Sequence, residues 1–244
     1  MADPDVQPRT VQSVSLTHVG LVRSHNEDAV LDRPDLALWA VADGMGGMTA
    51  GEVASQAVIE ALGTVPQGLD APSLLAEIRA RIGGVNSELL AMAAARGPDT
   101  VIGTTIVGLV LHSGWYACFW AGDSRIYRTR AGVLEQLTRD HSLVQDMVDA
   151  GMIAPEAAER HPHASVIQRA VGVDEEVEMQ WAHARIERGD VFLLCSDGLT
   201  RMVPDPEIAD MLQAPIAAAA PALLARTLER GAKDNVSIVL VAVG

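Results

Sequence analysis

Four aspartates stand next to apolar, strand-like runs of this sequence, and their carboxylates could bind metal ions. The runs 36–42, 117–121 and 191–196 lead into Asp43-Gly44, Gly122-Asp123 and Asp197-Gly198, while Asp234 stands just before the run 236–243. Because strand interiors disfavour aspartate and glycine marks turns, each carboxylate is predicted at the end of a strand. A single Asp-Gly pair could be a plain turn, but four such arrangements indicate one shared site.

The four aspartates and the backbone carbonyl of Gly44 would form an all-oxygen set of ligands. No Cys or His stands at ligand spacing beside them, which disfavours zinc, whereas oxygen-only sites suit Mg²⁺, Mn²⁺ or Ca²⁺. Several carboxylates in one place repel each other unless cations neutralise them, which favours two ions over one. Two ions roughly 3.5–4 Å apart can activate a water molecule for the hydrolysis of a phosphoester.

Such a reaction also needs a cation that holds the phosphate oxygens. A guanidinium can do this with two parallel hydrogen bonds. Arg23, in the charged turn 20–28, is the candidate. The alternative is an ordinary surface arginine.

Composition limits the classes of function. The chain has 244 residues, of which 49% are hydrophobic, and a formal net charge of −14, which argues against nucleic-acid binding. Cys118 and Cys195 lie inside apolar runs and are predicted to be buried small hydrophobic residues, as in a reducing compartment. The N-terminal residues do not resemble a signal peptide, and no apolar stretch has the length of a membrane span. The sequence therefore predicts a cytoplasmic protein.

The order of the elements indicates an α+β fold. Strands near the N-terminus are followed by helices over 50–62 and 73–95, a series of short-linked strands over 104–137, and a helix-prone segment over 139–172. Strands over 177–184 and 191–196, two more helices and a final strand over 236–243 complete the chain. We predict a loose tail over 1–12 and one domain over 13–244, with antiparallel sheet and helices packed outside.

Six motifs occur in one order along the chain, and together they point to a known family. They are Gly20-Leu-Val-Arg-Ser-His-Asn-Glu-Asp28, Ala42-Asp-Gly-Met-Gly-Gly47 with Gly51-Glu-Val-Ala-Ser55, Gly103-Thr-Thr105, Ala121-Gly-Asp-Ser-Arg125, Ser196-Asp-Gly-Leu199 and Lys233-Asp-Asn-Val236. This series resembles that of the metal-dependent Ser/Thr protein phosphatases of the PP2C (PPM) family, in its bacterial branch. The resemblance covers about residues 14–244.

The resemblance implies a fold and a metal centre. The fold would be a central β-sandwich of two antiparallel sheets, flanked by helical layers. Asp43 would bridge two ions, Mg²⁺ or Mn²⁺, and the Gly44 carbonyl would bind one of them. Asp197 and Asp234 would bind the other ion.

It also implies roles for residues around that centre. Glu27 and Asp28 would act in the outer shell through water, and Asp123 together with Asp197 would hold a third, weaker ion. Arg23 would bind the phosphate. Residues 139–172 would form the variable flap beside the active site, an element that usually influences substrate choice.

The sequence departs from the family pattern at several positions. Met45 and Met48 stand where relatives carry a histidine, so no histidine of this loop can protonate the leaving group. A metal-bound water, His25 or His141 would have to do so, although a surface or structural role fits both histidines better. In the flap, Ala164-Ser165 stands where Arg-Asn is expected.

The leading hypothesis is a protein-phosphoserine/phosphothreonine phosphatase that works by direct attack of metal-activated water, without a phosphoenzyme. Its partners would be phosphorylated proteins and an opposing bacterial Ser/Thr kinase, and a monomer is the default state. The alternative is a catalytically silent binding or regulatory module on the same fold. An aspartyl phosphotransferase would need a strand-end Asp-x-Asp and βα units, and a structural Ca²⁺ module would need contiguous loop ligands; neither pattern is present.

Overall fold

The structure is a computed structural model that describes residues 10–46, 50–158 and 161–244. The strands are β1 (Val11–His18), β2 (Asp28–Arg33), β3 (Leu38–Met45), β4 (Gly103–Thr104), β5 (Ile106–His112), β6 (Trp115–Ala121), β7 (Arg125–Arg130), β8 (Val133–Gln136), β9 (Gln180–Arg185), β10 (Val191–Cys195) and β11 (Val236–Val243). The helices are α1 (Ala50–Gly63), α2 (Ala71–Arg96), α3 (Leu143–Asp149), α4 (Pro155–Ala158), α5 (Asp197–Thr200), α6 (Asp205–Met211) and α7 (Ile216–Glu229).

The strands form two antiparallel sheets. One has the order β1-β11-β10-β7-β8, and the other has the order β2-β3-β5-β6-β9, with β4 paired to β3. The short connections between β5, β6, β7 and β8 match the series of short-linked strands that the sequence predicts. Such hairpin links favour antiparallel neighbours, because a parallel pair needs a long crossover.

Apolar side chains fill the space between the two sheets. Trp39 and Leu109 of one sheet pack in a single cluster with Phe192 and Val239 of the other, and all four are fully buried. The alternation of side chains along each strand sends the neighbouring residues to the outer faces. The two sheets therefore form a sandwich with an aliphatic and aromatic interior.

Helices cover both outer faces of the sandwich. Helices α1 and α2 pack through residues such as Val58 and Ile78 on the β2-β3-β5 face, while α6 and α7 pack through residues such as Ile208 and Leu223 on the β10-β11 face. The resulting order of layers is helix, sheet, sheet, helix. This confirms the predicted α+β sandwich with helical layers outside.

Several predicted boundaries differ from the structure. Strand β1 begins at Val11, two residues inside the segment predicted as a tail, because it pairs with β11 along its whole length; residues 1–9 lie outside the described residues. Strand β3 runs through Asp43 to Met45 rather than ending before the aspartate, since Asp43 is paired with Asp28 of β2. Pairing across the sheet thus outweighs the low strand propensity of aspartate.

The segment 139–172, which the family resemblance implies to be the flap, lies outside the two sheets. It contains the short helices α3 and α4, and isolated bridges tie Ser142 to Ile167 and Val171 to Thr104. Over the parts of the chain that the structure describes, none of the helices combines the length and apolar character needed to cross a membrane.

Candidate metal centre and phosphate site

Two of the predicted site carboxylates are neighbours across a strand pair. Asp28 opens β2 and Asp43 lies near the end of β3, and the antiparallel register sets them directly opposite each other. Like charges opposite each other destabilise a sheet. The pairing of Asp28 with Asp43 therefore lowers the stability of the sheet, which makes a functional role for the two carboxylates the better explanation.

The glycines of the two Asp-Gly pairs allow other backbone segments to approach closely. A Cβ atom on Gly44 would lie 2.1 Å from the carbonyl oxygen of Gly51 and 2.6 Å from that of Glu27. A Cβ atom on Gly198 would lie 1.9 Å from the carbonyl oxygen of Asn235. No other residue fits at either position, so these glycines pack the site together rather than simply forming turns.

The Gly103-Thr-Thr105 motif supports the backbone of Asp43. Thr104 donates its hydroxyl to the Asp43 carbonyl at 2.9 Å, and the Thr105 N–H donates to the same carbonyl at 2.8 Å. The Asp43 N–H in turn donates to the Thr105 hydroxyl at 3.2 Å. These bonds fix the position from which the Asp43 side chain extends.

Asp28 is joined to the other sheet by Ser196, the residue before Asp197. The Ser196 hydroxyl donates to Asp28 Oδ2 at 2.8 Å and accepts the backbone N–H of Ser237 at 3.0 Å. Ser196 therefore fixes the end of β10 against the start of β2. As a result, Asp197 at the start of α5 stands close to the Asp28 and Asp43 pair.

Asp123 lies in the loop after β6, and His141 braces this loop. The Gly122 N–H donates to His141 Nδ1 at 3.2 Å, and the His141 N–H donates to the Gly122 carbonyl at 2.8 Å. The imidazole is buried and stacks on Trp120, and its burial lowers its pKa. This environment favours a structural role for His141, whereas His25 is exposed on the turn that carries Arg23.

Arg23 and Asp234 form an ion pair at the rim of the site. Arg23 Nη2 lies 2.9 Å from Asp234 Oδ2, and 54% of the arginine side chain is exposed. The adjacent Asn235 holds the Arg23 turn in place: its Nδ2 donates to the carbonyls of Val19 and His25, each at 2.9 Å, and its Oδ1 accepts the N–H of Glu27 at 2.8 Å. Asn235 thus brings Arg23 and Glu27 to the aspartates.

The pKa shifts of these aspartates reflect their burial and their closeness to one another. Burial first, and then the charges of Asp28, Asp197, Asp123 and Asp234, raise the pKa of Asp43 well above its ordinary value. Burial also raises the pKa of Asp28 to about 7 and that of Asp123 to about 8, with a contribution from Asp197 to each. The structure therefore brings together all five aspartates that the sequence assigned to the site.

The residues present fit divalent cations at the core of this cluster. Asp28 Oδ1 and Asp123 Oδ1 are buried carboxylate oxygens without a hydrogen-bond partner. Buried charge of one sign is costly unless it is paired or coordinates a metal, and oxygen-only donors suit Mg²⁺ and Mn²⁺. Among the described residues, however, no three His, Cys, Asp or Glu side chains lie close enough to enclose an ion by themselves. Arginines hold two of the carboxylates, Asp234 and Asp197.

A cavity of about 280 Å³ separates the cluster from the flap. Its lining includes Asp123, Asp197 and Arg201 on the side of the aspartates and Ser142, His161 and Ser165 on the side of the flap. A substrate side chain next to the phosphate could enter here. The flap departure at Ala164-Ser165 therefore changes the wall of this cavity.

Sequence reasoning missed Ser196, Asn235 and Arg201 as parts of the site. Ser196 and Asn235 belong to motifs that the sequence analysis identified, so their position beside the aspartates was the available signal. Arg201 follows the Ser196-Asp-Gly-Leu199 motif, and only its spacing of four residues from Asp197 could have indicated the contact. Met48, one of the two departures in the loop after Asp43, lies outside the described residues.

The two-sheet sandwich and its oxygen-only cluster define a class of metal-dependent protein. A sequence model described as protein phosphatase 2C matches residues 22–240. The chain belongs to the protein phosphatase 2C family. The predicted family is therefore confirmed.

Relatives of this chain carry names that agree with the family. The serine/threonine protein phosphatase PstP of Mycobacterium tuberculosis is 40% identical over 222 residues, which are 91% of this chain and 43% of PstP. The serine/threonine phosphatase stp of Listeria monocytogenes is 35% identical over 234 residues, with 92% of this chain and 93% of that protein covered. The chain thus spans less than half of the first relative and nearly all of the second.

Solved structures show the same fold. PppA, described as a key regulatory component of T6SS in Pseudomonas aeruginosa, superposes with a TM-score of 0.89 at 40% identity, covering 96% of this chain and 98% of that one. The catalytic domain of PstP in complex with two manganese ions superposes with a TM-score of 0.86 at 38% identity, with the same coverage. The predicted fold class is thus confirmed by comparison as well as by topology.

Proposed function

We propose that this chain is a metal-dependent protein phosphatase that hydrolyses phosphoserine and phosphothreonine in proteins. The observation that carries the proposal is the convergence of five mutually repelling aspartates, together with Arg23, at one end of the two sheets. Such a cluster needs cations from outside the chain. The names of the relatives, which are serine/threonine protein phosphatases, support the choice of reaction.

The proposed core site holds two divalent ions. Asp43, the backbone carbonyl of Gly44, Asp197 and Asp234 would hold these ions. The manganese complex of PstP supports Mn²⁺ as one suitable ion, and the same oxygen ligands accept Mg²⁺. When bound, the ions supply an activated water and neutralise phosphoryl charge.

The chain's own groups orient the phosphate and the carboxylates. Arg23 exchanges its exposed ion pair with Asp234 for the phosphoryl oxygens, a change that costs little because exposed pairs contribute little stability. Glu27 and Asp28 lie in the outer shell, and Ser196 fixes Asp28 by its hydrogen bond.

The proposed reaction is a direct displacement at phosphorus. A water that has given up a proton to solvent forms the new P–O bond through its oxygen while the bond to the serine or threonine Oγ breaks, and the leaving oxygen takes up a proton. His25, exposed on the Arg23 turn, or solvent supplies this proton, since His141 is buried against Trp120. No side chain of the enzyme becomes phosphorylated, so an acid quench during turnover should trap no phosphate on the protein.

The proposal includes partners and a setting. The substrates are phosphorylated proteins, and a Ser/Thr kinase that phosphorylates them is the opposing enzyme. The flap 139–172 and the cavity beside it contribute to the choice of substrate. A monomeric state, a single domain over 13–244 and a cytoplasmic location stay predictions; the two free and buried cysteines agree with a reducing compartment.

The test is hydrolysis of a phosphothreonine peptide with and without Mn²⁺, comparing wild type with Asp43→Asn and Asp234→Asn. We expect phosphate release that depends on metal and that both substitutions abolish. Asp35→Asn, in the exposed turn at the opposite end of β2 and β3 from the Asp28 and Asp43 pair, is the matched control and should release phosphate like wild type.

The same assay separates the enzyme from the catalytically silent module. A silent module would bind Mn²⁺ and melt normally but release no phosphate from any phosphopeptide. In that case Met45 and Met48 would be the first residues to replace with histidine. Release that continues after Asp43→Asn would contradict the proposed metal centre.

A further inference from the structure

Arg201 lies between the two aspartates of the predicted third metal site. Its Nη2 is 2.5 Å from Asp197 Oδ2 and 3.9 Å from Asp123 Oδ2. Its backbone N–H donates to the Asp197 carbonyl at 2.9 Å at the end of α5. The side chain therefore turns back over its own short helix and reaches the loop after β6.

The environment of this contact is mostly enclosed. The side chains of Asp123 and Asp197 are 7% and 14% exposed, and that of Arg201 is 34% exposed. A guanidinium is planar, permanently charged and rich in donors, so it satisfies carboxylates better than any other side chain. Here it meets one carboxylate directly and lies within ion-pair distance of the second.

The geometry points to Arg201 as a built-in cation that takes the place of a third metal ion. The family resemblance predicts a third ion at this position. The residues here do not fit such an ion, because a guanidinium already lies between Asp123 and Asp197. The chain accordingly binds the core ions only. This inference rests on the proposed two-ion core and concerns the additional ion alone.

The Arg23 ion pair differs from the Arg201 contact in the features that matter. Arg23 is 54% exposed, extends from a surface turn and, within the part of the chain that the structure describes, forms an ion pair with Asp234 alone. Arg201 is less exposed, contacts two carboxylates, and extends from the end of a helix that also carries Asp197. An exposed single pair opens at little cost, whereas removing one partner of an enclosed group leaves charge unpaired.

The position of Arg201 also bears on the substrate side of the site. Arg201 lines the cavity that faces Ser142 and His161 of the flap. A fixed guanidinium keeps one positive charge there at any metal concentration. A third ion, in contrast, would come and go with the supply of metal.

The experiment counts bound Mn²⁺ from the EPR signal of the free ion during titration, with calorimetry as a second measure. We expect Arg201→Gln to bind one more ion per chain than wild type. Arg188→Gln, an exposed arginine remote from these aspartates, should bind the same number as wild type. Equal counts for wild type and Arg201→Gln, with the variant folded by its melting curve, would overturn the inference.

A second pair of variants tests the same point without relying on Arg201→Gln alone. Asp123→Asn in the wild-type background should leave the ion count unchanged, since the guanidinium and not an ion occupies this position. In the Arg201→Gln background, Asp123→Asn should remove the added ion. Loss of an ion from Asp123→Asn alone would show that wild type holds a metal there, and would refute the proposal.

The two proposals fail in different ways. If wild type binds no core ions, the proposed metal centre is wrong. If wild type binds the core ions and a further one that depends on Asp123, only the role of Arg201 is wrong.

Discussion

Two sets of buried carboxylates occur in this sandwich, and they differ in their partners. Asp140 receives hydrogen bonds from Nε and Nη2 of Arg125 at 3.0 and 2.7 Å. Asp190 receives bonds from Nε and Nη2 of Arg130, both at 2.7 Å, and from the Glu187 N–H at 2.8 Å. In the site cluster, by contrast, Asp28 and Asp123 each keep one oxygen without a partner.

The difference separates structural from functional carboxylates. Asp140 and Asp190 are neutralised by the chain itself, so each is already satisfied in the folded state. The five site aspartates outnumber their arginine partners, Arg23 and Arg201, and the raised pKa values of Asp28, Asp43 and Asp123 reflect burial and the repulsion between neighbouring carboxylates. Carboxylates that burial and like charge disfavour are candidates for function, because folding alone gives no reason to keep them together.

The largest expected effect on activity comes from substituting one of the site aspartates. Asp43→Asn should lower kcat/KM for a phosphothreonine peptide by at least about 10²–10³-fold, to background in the release assay, because it removes a carboxylate that would hold the ions, and losing their stabilisation of transition-state charge has an effect of this size. The melting temperature without metal should stay equal or rise, since one repelling charge disappears. Kinetics and calorimetry on the same preparation check both statements. A fall in melting temperature with unchanged activity would place Asp43 in the structural set.

A loss of stability without a loss of activity is expected when a structural carboxylate, Asp140 or Asp190, is substituted. Asp190→Asn removes the fully buried one of the two carboxylates that pair with Arg130, the other being that of Glu187, and should lower the free energy of unfolding by about 3 kcal/mol. The melting temperature should then fall by roughly 6–12 °C. Below the new transition, activity should stay close to wild type. Chemical denaturation checks the first value, and loss of activity in the folded variant would contradict the division.

The sequence predicted much of the fold and of the site. Strand β11 was predicted at the bounds it has, because 236–243 is apolar apart from Ser237, and α1 and α2 followed from their apolar periodicity. Strand β3 was predicted too short, since sequence alone could not show that Asp43 is paired with Asp28. The five aspartates came from composition at strand ends and from the motif series together.

The partners of these aspartates could not be predicted in the same way. The contact between Ser196 and Asp28 joins residues 168 positions apart, and the contact of Asn235 with Glu27 joins residues 208 apart. Such contacts depend on the register of both sheets and on how the sheets pack. Arg201 is closer to Asp197 in sequence, yet its choice of partner depends on the unbalanced charge around it.

A smaller effect is expected from a neutral residue that supports the site set. Ser196→Ala removes the hydroxyl that donates a hydrogen bond to Asp28 Oδ2, so the Asp28 carboxylate loses the contact that fixes it against β10. Metal affinity should fall by about 10-fold, as for other outer-shell partners. Mn²⁺ titration measures the change, and Ser87→Ala, on the exposed side of α2, is the control. Unchanged affinity would mean that Asp28 needs no fixed position.

The smallest effect is expected from an ion pair that is neither buried nor in the site. Asp35 accepts hydrogen bonds from Arg33 at the surface, and this arginine, together with Gln67, lowers the pKa of Asp35. A lowered pKa means that any contribution to stability is present above the unfolded-state pKa of about 4 and is lost as the pH falls below it. Asp35→Asn should therefore leave activity unchanged and shift the melting temperature only slightly at neutral pH. This shift should shrink further in acid and in high salt.

Melting curves at neutral and acidic pH, each at low and high salt, test this last expectation. If Asp35→Asn lowered the melting temperature as much as Asp190→Asn, an arginine partner alone would determine the cost of losing a carboxylate. Burial would then not explain why the loss of one carboxylate lowers stability more than the loss of another. A much smaller shift for Asp35→Asn supports the comparison, because both aspartates have an arginine partner and differ mainly in their exposure to solvent.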